Sequence, residues 1–287
     1  MKIAFADFWW KFENNNNFFV DSLRSIRDNI EVVDPSDADV LIYSCFGKDH
    51  LNVDRDKTKK IYYTGENLRP DFNECDASLT FDFDSYNGKN IRMPLWLMQY
   101  DWHEKTNYVN PEYLMPVEWL TNPPKWNPVE RDKFLAAVFN RDHIGNRFEF
   151  LQKIAPYKKG HGFGEPFKNW FYGESQKLNI LSQFKFTMCF ENGVADGYHT
   201  EKLVHAKMAG CIPVYWANNT IENDFYKESF INLNDFDSVD ELAKFVIEVD
   251  KDDKLAQTFL QAPLFKKIPT KDDVLNKFKD ILKACEL

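Results

Sequence analysis

The sequence predicts an α/β protein of two consecutive domains, each built on a parallel sheet. Apolar runs of strand length alternate with amphipathic stretches in both halves of the chain, which is typical of repeated βαβ units. A Pro-rich segment, residues 110–132, separates the two halves. The length of 287 residues suits two domains of about 140 residues each. We therefore expect two Rossmann-like domains that face each other across a cleft.

The first half is predicted to contain three strands and one helix before the Pro-rich segment. Apolar residues recur at helical spacing over residues 18–30, and the Asn run at 14–17 before them is predicted to be a solvated loop. The strands are predicted from apolar runs at 2–10, 38–46 and 59–65.

The second half repeats the alternation. Strands are predicted over 133–140, 183–192 and 211–217, and helices over 145–157, 200–210, 240–249 and 274–285. Thr200 is the predicted N-cap of the second of these helices. The predicted domains are residues 1–130 and 131–287, and we expect the terminal helix within 265–287 to pack back on the first domain.

Composition excludes several classes of protein. The net charge of −9 argues against nucleic-acid binding. A mean hydropathy of −0.53 and the lack of any 18-residue apolar run argue against a transmembrane segment. The five cysteines are odd in number and form no C-x-x-C pair, which favours reduced thiols in a cytoplasmic protein.

The stretch from Phe190 to Lys202, FENGVADGYHTEK, carries the most chemistry. A predicted buried strand leads through a loop with two glycines into a helix, which is where open α/β sheets bind phosphorylated ligands. Lys202 in the first turn opposes the helix dipole, so an anion such as a diphosphate is expected to compensate it. The alternative interpretation is an ordinary loop with an exposed lysine.

This stretch and its continuation, FENGVADGYHTEKLVHAKMAGCIPVYWA, resemble the sugar-nucleotide-binding signature of the α-1,3/4-fucosyltransferases. The segments YYTGENLRPDFNECDASLTFDFD and IRMPLW resemble bacterial members of the same family, and KIAFADFWW resembles the family's first strand. The resemblance covers residues 2 to about 235. Within the signature, the agreeing residues are Glu191, Asn192, Tyr198, Thr200, Glu201, Lys202, Pro213, Tyr215 and Trp216.

The resemblance implies the GT-B fold and inverting transfer of L-fucose from GDP-β-L-fucose to an oligosaccharide acceptor. The implied acceptor is a hydroxyl of an N-acetylglucosamine-containing glycan, giving a Lewis-type product, with 1,3 and 1,4 linkage both open. The first domain would bind the acceptor and the second GDP-fucose. Two alternatives stay open: a GT-B glycosyltransferase with a different GDP-sugar donor, and a catalytically silent nucleotide- or glycan-binding module.

The resemblance also implies roles for individual residues. Glu66, at the carboxyl end of a first-domain strand, matches the family's general base, and Asp7 and Glu74 are the next candidates. Lys202 and Arg147 match residues that contact the diphosphate.

Other positions are implied as donor contacts. Arg141 competes with Arg147 for the phosphate role, because the alignment of this loop can slip. Asn192, Tyr198 and Glu201 match positions that contact the nucleoside or the fucose hydroxyls.

The sequence predicts no metal site in the donor region. The D-x-D spacing at Asp82 and Asp84 lies in the first domain and resembles a structural strand of the family. Because cationic side chains can stabilise a leaving diphosphate, we expect no required cofactor, although a divalent cation could be stimulatory.

Overall fold

The computed structural model describes residues 1–124, 131–170 and 173–287. Its chain divides into two compact units: unit 1 comprises residues 1–117 and 269–287, and unit 2 comprises residues 118–268. The change of unit comes after Val117, within the short 3-10 helix Val117–Leu120, and therefore earlier in the chain than the predicted boundary at 130/131. Pro128, part of the predicted linker, lies outside the described residues.

Unit 1 contains a sheet of six parallel strands. They are β1 (Lys2–Ala6), β2 (Glu31–Val32), β3 (Val40–Tyr43), β4 (Lys59–Tyr63), β5 (Ala77–Thr80) and β6 (Asn90–Arg92). Their order is β2-β1-β3-β4-β5-β6. The three strands predicted in this half are confirmed, each shorter than its apolar run. Strands β2 and β6 have only two and three residues, and β5, ASLT, contains no apolar run, so these three were not predicted from periodicity.

Two helices pack together in unit 1, α1 (Phe18–Ile26) and α7 (Lys271–Ala284), as numbered along the chain. The rings of Phe18 and Phe278 lie 5.6 Å apart. The packing of α7 against α1 accords with the assignment of residues 269–287 to unit 1. Asn17 is not solvated as predicted: it is buried and accepts a hydrogen bond from the Val20 N–H as the N-cap of α1.

Unit 2 contains a sheet of five parallel strands. They are β7 (Lys133–Val138), β8 (His161–Phe163), β9 (Phe184–Phe190), β10 (Ile212–Trp216) and β11 (Ile231–Asn232). Their order is β11-β10-β9-β7-β8. Counted from its own first strand, the unit 2 sheet has the doubly wound order 2-1-3-4-5, and the unit 1 sheet has the same order with a sixth strand added at the end.

The helices of unit 2 cover both faces of its central strand β9. They are α2 (Asn146–Ile154), α3 (Gly173–Leu181), α4 (Lys202–Met208), α5 (Val239–Lys251) and α6 (Asp253–Gln261). Phe186 and Met188 belong to the apolar cluster formed with α2 and α5, while the Cys189 thiol lies 3.5 Å from the Lys202 carbonyl oxygen of α4. Burial on both faces explains why five of the seven residues of β9 are apolar.

Within the described ranges, no helix is both long enough and apolar enough to cross a membrane. The five cysteines are free thiols, and all except the half-buried Cys45 are buried.

Lys207 is a buried lysine of unit 2. It lies on α4, is 8% exposed, and its ammonium donates a hydrogen bond to the carbonyl oxygen of Phe259 on α6. Burial lowers the pKa of Lys207 to about 7, because a low-dielectric environment disfavours the charged amine.

The free energy of unfolding should therefore rise with pH between about 7 and 10. In this window the unfolded chain binds a proton at Lys207 that the folded protein does not, so deprotonation favours the folded state. Substitution Lys207→Met should stabilise the protein at pH 7 by about 1–3 kcal/mol and should remove this part of the pH dependence. Urea denaturation of both proteins at pH 7, 8 and 9 measures the effect, with the exposed Lys254→Met on α6 as the control. Parallel pH curves for Lys207→Met and wild type would contradict it.

Candidate active site

The predicted site residues of unit 2 lie on the loops that follow the neighbouring strands β7 and β9 and in the first turns of the helices after them, α2 and α4. In this strand order the two connections leave toward opposite faces of the sheet, and such a point is where open α/β sheets form a ligand-binding crevice. Arg141 and Arg147 follow β7, and Asn192 and Glu201 follow β9. The topology collects these residues where open α/β sheets bind ligands.

Glu191, the first residue after β9, closes the loop 191–201 on itself. Its carboxylate is fully buried and accepts hydrogen bonds from the Thr200 backbone N–H at 2.9 Å and from the Thr200 hydroxyl at 2.8 Å. The Lys202 ammonium lies 2.8 Å from this carboxylate and 2.8 Å from the Thr200 hydroxyl oxygen. A buried carboxylate requires such partners, so Glu191 fixes both Thr200 and Lys202. The place of Glu191 in the signature did not by itself predict this role.

Two expectations about the start of α4 are corrected by these contacts. Thr200 is not the N-cap: the cap position is Glu201, and the Thr200 hydroxyl binds Glu191 instead. The charge of Lys202 is already compensated within the protein. Burial alone would lower the pKa of Lys202, but the Glu191 and Glu201 carboxylates outweigh it and raise that pKa, so the ammonium stays charged. Its side chain is 19% exposed.

Glu201 is paired with a lysine that sequence analysis missed. The ammonium of Lys177, on α3, lies 3.3 Å from the Glu201 carboxylate, and the two side chains are only 13% and 20% exposed. Burial alone would raise the pKa of Glu201, but Lys202 and Lys177 reverse this and lower it. Helix α3 was not predicted and follows a stretch of mixed composition, so no sequence signal pointed to Lys177.

Arg147 lies in the interior of unit 2, at the start of α2. The residue is 3% exposed, and its guanidinium donates hydrogen bonds to the carbonyl oxygens of Arg141 and Phe190 and to the side-chain oxygen of Asn192, the last at 2.9 Å. Burial lowers the pKa of Arg147, and nearby Glu191 opposes this. The side chain thereby joins the loop after β7 to the end of β9 and to Asn192.

Arg141 has a different setting, on the exposed loop between β7 and α2. This loop is turned by Asp142, whose carboxylate accepts from the backbone N–H groups of Gly145 at 3.0 Å and Phe148 at 2.9 Å. Gly145 has φ +89°, a conformation that favours glycine. Arg147 is therefore buried and holds the loops together by hydrogen bonds, whereas Arg141 is exposed to solvent.

Tyr198 is buried in the loop 191–201, and its neighbours Gly197 and His199 hold the loop in place. Tyr198 is 2% exposed. The ring of His199 lies 2.9 Å from the Asp224 carboxylate, and the Gly197 N–H donates to the Thr220 hydroxyl at 3.0 Å. These contacts tie the loop to the segment after β10.

Glu66 belongs to unit 1, on the turn that follows β4 at the carboxyl edge of that sheet. Its side chain is exposed, and its backbone N–H donates to the Thr64 hydroxyl at 2.9 Å. Gly65 packs closely, since a Cβ there would lie 3.1 Å from Leu95. The turn thus holds an exposed carboxylate at a strand end, as the sequence predicted.

Asp7 and Glu74, the alternative candidates for the general base, lie in surroundings that differ from those of Glu66. The Asp7 carboxylate is 1% exposed and accepts hydrogen bonds from the Asp49 and His50 N–H groups at 2.9 and 3.0 Å, so it caps the short helix Asp49–Asn52. Glu74 lies on the connection between β4 and β5, and its carboxylate is 3.3 Å from the His50 ring, whose other nitrogen lies 2.6 Å from Asp7. Neither shares the setting of Glu66.

The described residues contain no group of three His, Cys, Asp or Glu side chains that could hold a metal ion. The D-x-D carboxylates have other contacts: Asp82 is buried 2.9 Å from the Arg69 guanidinium, and Asp84 accepts from the Tyr86 N–H at 2.7 Å. Burial raises the pKa of Asp82, and Arg69 opposes this.

The bridging role of Arg147 predicts a stability difference between the two arginines. Substitution Arg147→Lys keeps the charge but cannot reach three acceptors with one ammonium, so the unfolding free energy should fall by about 2–4 kcal/mol. Arg141→Lys, on the exposed loop, should change it by less than about 0.5 kcal/mol. Urea denaturation followed by circular dichroism measures both variants. Equal losses would show that Arg147 does not hold the loops together.

Comparisons with known proteins cover both halves of the chain. Residues 3–99 match the model of the N-terminal domain of α-(1,3)-fucosyltransferase FucT, and residues 129–287 match that of the C-terminal part of glycosyltransferase family 10, the fucosyltransferases. The chain is 30% identical over 281 residues to α-(1,3)-fucosyltransferase FucT of Helicobacter pylori, covering 86% of this chain and 56% of that protein. It is 32% identical over 142 residues to human 4-galactosyl-N-acetylglucosaminide 3-alpha-L-fucosyltransferase 9, covering 47% and 38% respectively. The chain thus spans about half or less of the length of these curated relatives.

Solved structures agree on the fold. An α1,3-fucosyltransferase crystallised with GDP-fucose superimposes with a TM-score of 0.74 at 24% identity, over 98% of this chain and 90% of that one. A second α1,3-fucosyltransferase crystal structure gives a TM-score of 0.76, also at 24% identity. These matches show the GT-B fold predicted from the sequence. With more than half of its length matched by the family model, the chain belongs to glycosyltransferase family 10, the fucosyltransferases.

Proposed function

We propose that this chain transfers L-fucose from GDP-β-L-fucose to a hydroxyl of an N-acetylglucosamine-containing glycan, with inversion at the fucose C1. The product would be an α-1,3-linked, Lewis-type glycan. The observation that carries the proposal is the family match of both halves of the chain. A similar α1,3-fucosyltransferase crystallised with GDP-fucose supports the choice of donor.

The proposed reaction exchanges one bond at C1 for another. The acceptor hydroxyl oxygen bonds to C1 while the bond from C1 to the β-phosphate oxygen breaks, and the hydroxyl proton passes to the base. GDP leaves with one more negative charge. We assign the base to Glu66, because an exposed carboxylate at a strand end can accept a proton from a bound hydroxyl.

We assign the stabilisation of the leaving diphosphate to Lys202. Its ammonium is held by Glu191 and Thr200 and remains partly exposed, so it can meet the growing charge without moving far. Arg147 orients Asn192 through a 2.9 Å hydrogen bond.

Asn192, Tyr198 and Glu201 are proposed contacts to the nucleoside or the fucose hydroxyls. Arg141, on the exposed side of the same edge, is the proposed second cation for the phosphates. The proposed compartment is the cytoplasm, since the five cysteines are free thiols.

A donor panel tests the proposal directly. The purified protein is incubated with N-acetyllactosamine and either GDP-fucose or GDP-mannose, and the product linkage is determined by NMR. An α-1,3-fucosylated product supports the proposal. Turnover of GDP-mannose alone would indicate a different GDP-sugar donor, and GDP binding without turnover of either sugar nucleotide would indicate a silent binding module.

Glu66→Gln should abolish transfer while leaving GDP affinity near that of wild type. Glutamine keeps the shape of the side chain but cannot accept the proton, so kcat should fall by roughly 10²- to 10⁴-fold, and the acid limb of the pH profile of kcat/KM should disappear. Stopped assays with calorimetric GDP titration measure both quantities. Glu74→Gln, in the same unit and in contact with the His50 ring, is the matched control and should keep its activity. Full activity of Glu66→Gln would give the base role to another residue.

Activity with GDP-fucose should persist in excess EDTA. The proposed mechanism stabilises the leaving diphosphate with side-chain cations, so no divalent ion is required, although one could speed GDP release. Initial rates are compared before and after dialysis against EDTA. Complete loss of activity that added Mn²⁺ or Mg²⁺ restores would contradict this part of the proposal.

A further inference from the structure

Two lysine–glutamate pairs lie side by side at the start of α4. Lys202 lies 2.8 Å from Glu191, and Lys177 lies 3.3 Å from Glu201. All four side chains are 20% exposed or less. At such burial an ion pair is weakly screened, and removing one partner leaves a costly unpaired charge.

The pairs are coupled because Glu201 and Lys202 are adjacent in the chain. Lys202 interacts electrostatically with both Glu191 and Glu201. While Lys177 neutralises Glu201, Lys202 remains with Glu191 and the Thr200 hydroxyl. Without Lys177, the Glu201 carboxylate would compete with Glu191 for the one ammonium that is left between them.

His205, on the same helix, does not supply a replacement cation. His205 lies one turn after Glu201, is 1% exposed, and its Nδ1 has no hydrogen-bond partner among the described residues. Burial lowers the pKa of His205 well below its usual value, and Lys177 and Lys202 also disfavour its charge. The imidazole is therefore neutral and cannot take over from Lys177.

We propose that Lys177 is a positioning residue for donor binding, which holds the Glu201 carboxylate in place and so keeps Lys202 on Glu191. This inference rests on the proposed function, because it assigns Glu201 and Lys202 to the GDP-sugar. Lys177 acts through its neighbours and gives α3 a part in the donor site. A purely structural role would instead confine its contribution to packing α3 against α4.

A double-mutant cycle separates the two roles. Lys177→Met, Glu201→Gln and the double variant are compared with wild type by calorimetric titration with GDP and by kcat and KM for GDP-fucose. Lys177→Met should weaken GDP binding about tenfold, and it should add less than about twofold in the Glu201→Gln background, since the residue it positions is already changed. Lys177→Arg, which keeps the cation, should restore binding to within about threefold of wild type.

Lys185→Met is the matched control. The Lys185 side chain is 12% exposed and its ammonium lies 3.3 Å from the Asp250 carboxylate, so it forms a similarly buried pair in unit 2. This variant should lower the melting temperature without changing GDP affinity. If Lys177→Met does not fold, Lys177→Gln is used in its place, with the same outcomes.

Each outcome decides the inference. Effects of Lys177→Met and Glu201→Gln that multiply, or a Lys177→Met protein that binds GDP like wild type, would overturn the positioning role and leave the proposed function standing. Unchanged GDP binding in Glu201→Gln would overturn it as well. Failure of the wild-type protein to bind GDP would instead overturn the proposed function, and this inference with it.

Discussion

The buried carboxylate of Glu191 is the constraint on which the rest of the unit 2 site depends. A charge with no solvent contact must be satisfied by the protein, and here it is satisfied by Thr200 and Lys202, nine and eleven residues further along the chain. The loop between them can therefore take few other conformations. Its glycines and exposed positions supply the turn, while the ion pair fixes where the turn begins and ends.

The sheet topology explains why this loop meets the one that carries the arginines. Strands β7 and β9 are adjacent in the sheet but separate in the chain, with β8 and two helices between them. Their following loops therefore share one edge of the sheet, and Arg147 spans them with bonds to Arg141, Phe190 and Asn192. A guanidinium suits this position because its planar fork serves several carbonyl oxygens at once.

The sequence predicts the strands and helices of the fold better than the side-chain contacts of the site. Strand β9 is recognisable because burial on both faces makes five of its seven residues apolar, and Glu66 could be placed at a strand end from the run that precedes it. The partners of Arg147 and Glu201 could not be predicted, since they lie 6–45 and 24 residues away along the chain and depend on how α2 and α3 pack. The local sequence pattern also predicted Thr200 as the N-cap of α4. Such a pattern carries no information on the Glu191 carboxylate, which binds the Thr200 hydroxyl instead.

The charges at this edge of unit 2 also bear on how a diphosphate would be received. Lys177, Lys202 and Arg147 face two carboxylates, Glu191 and Glu201, so these five buried or half-buried groups leave one net positive charge. Because each cation is already held by protein oxygens, an arriving anion would meet oriented charges and little reorganisation would be needed. Such a site favours the state in which negative charge on the ligand is greatest. In the proposed reaction that state is reached as GDP departs. Glu191 and Glu201, which hold the lysines in place before binding, would therefore also favour the departure of GDP.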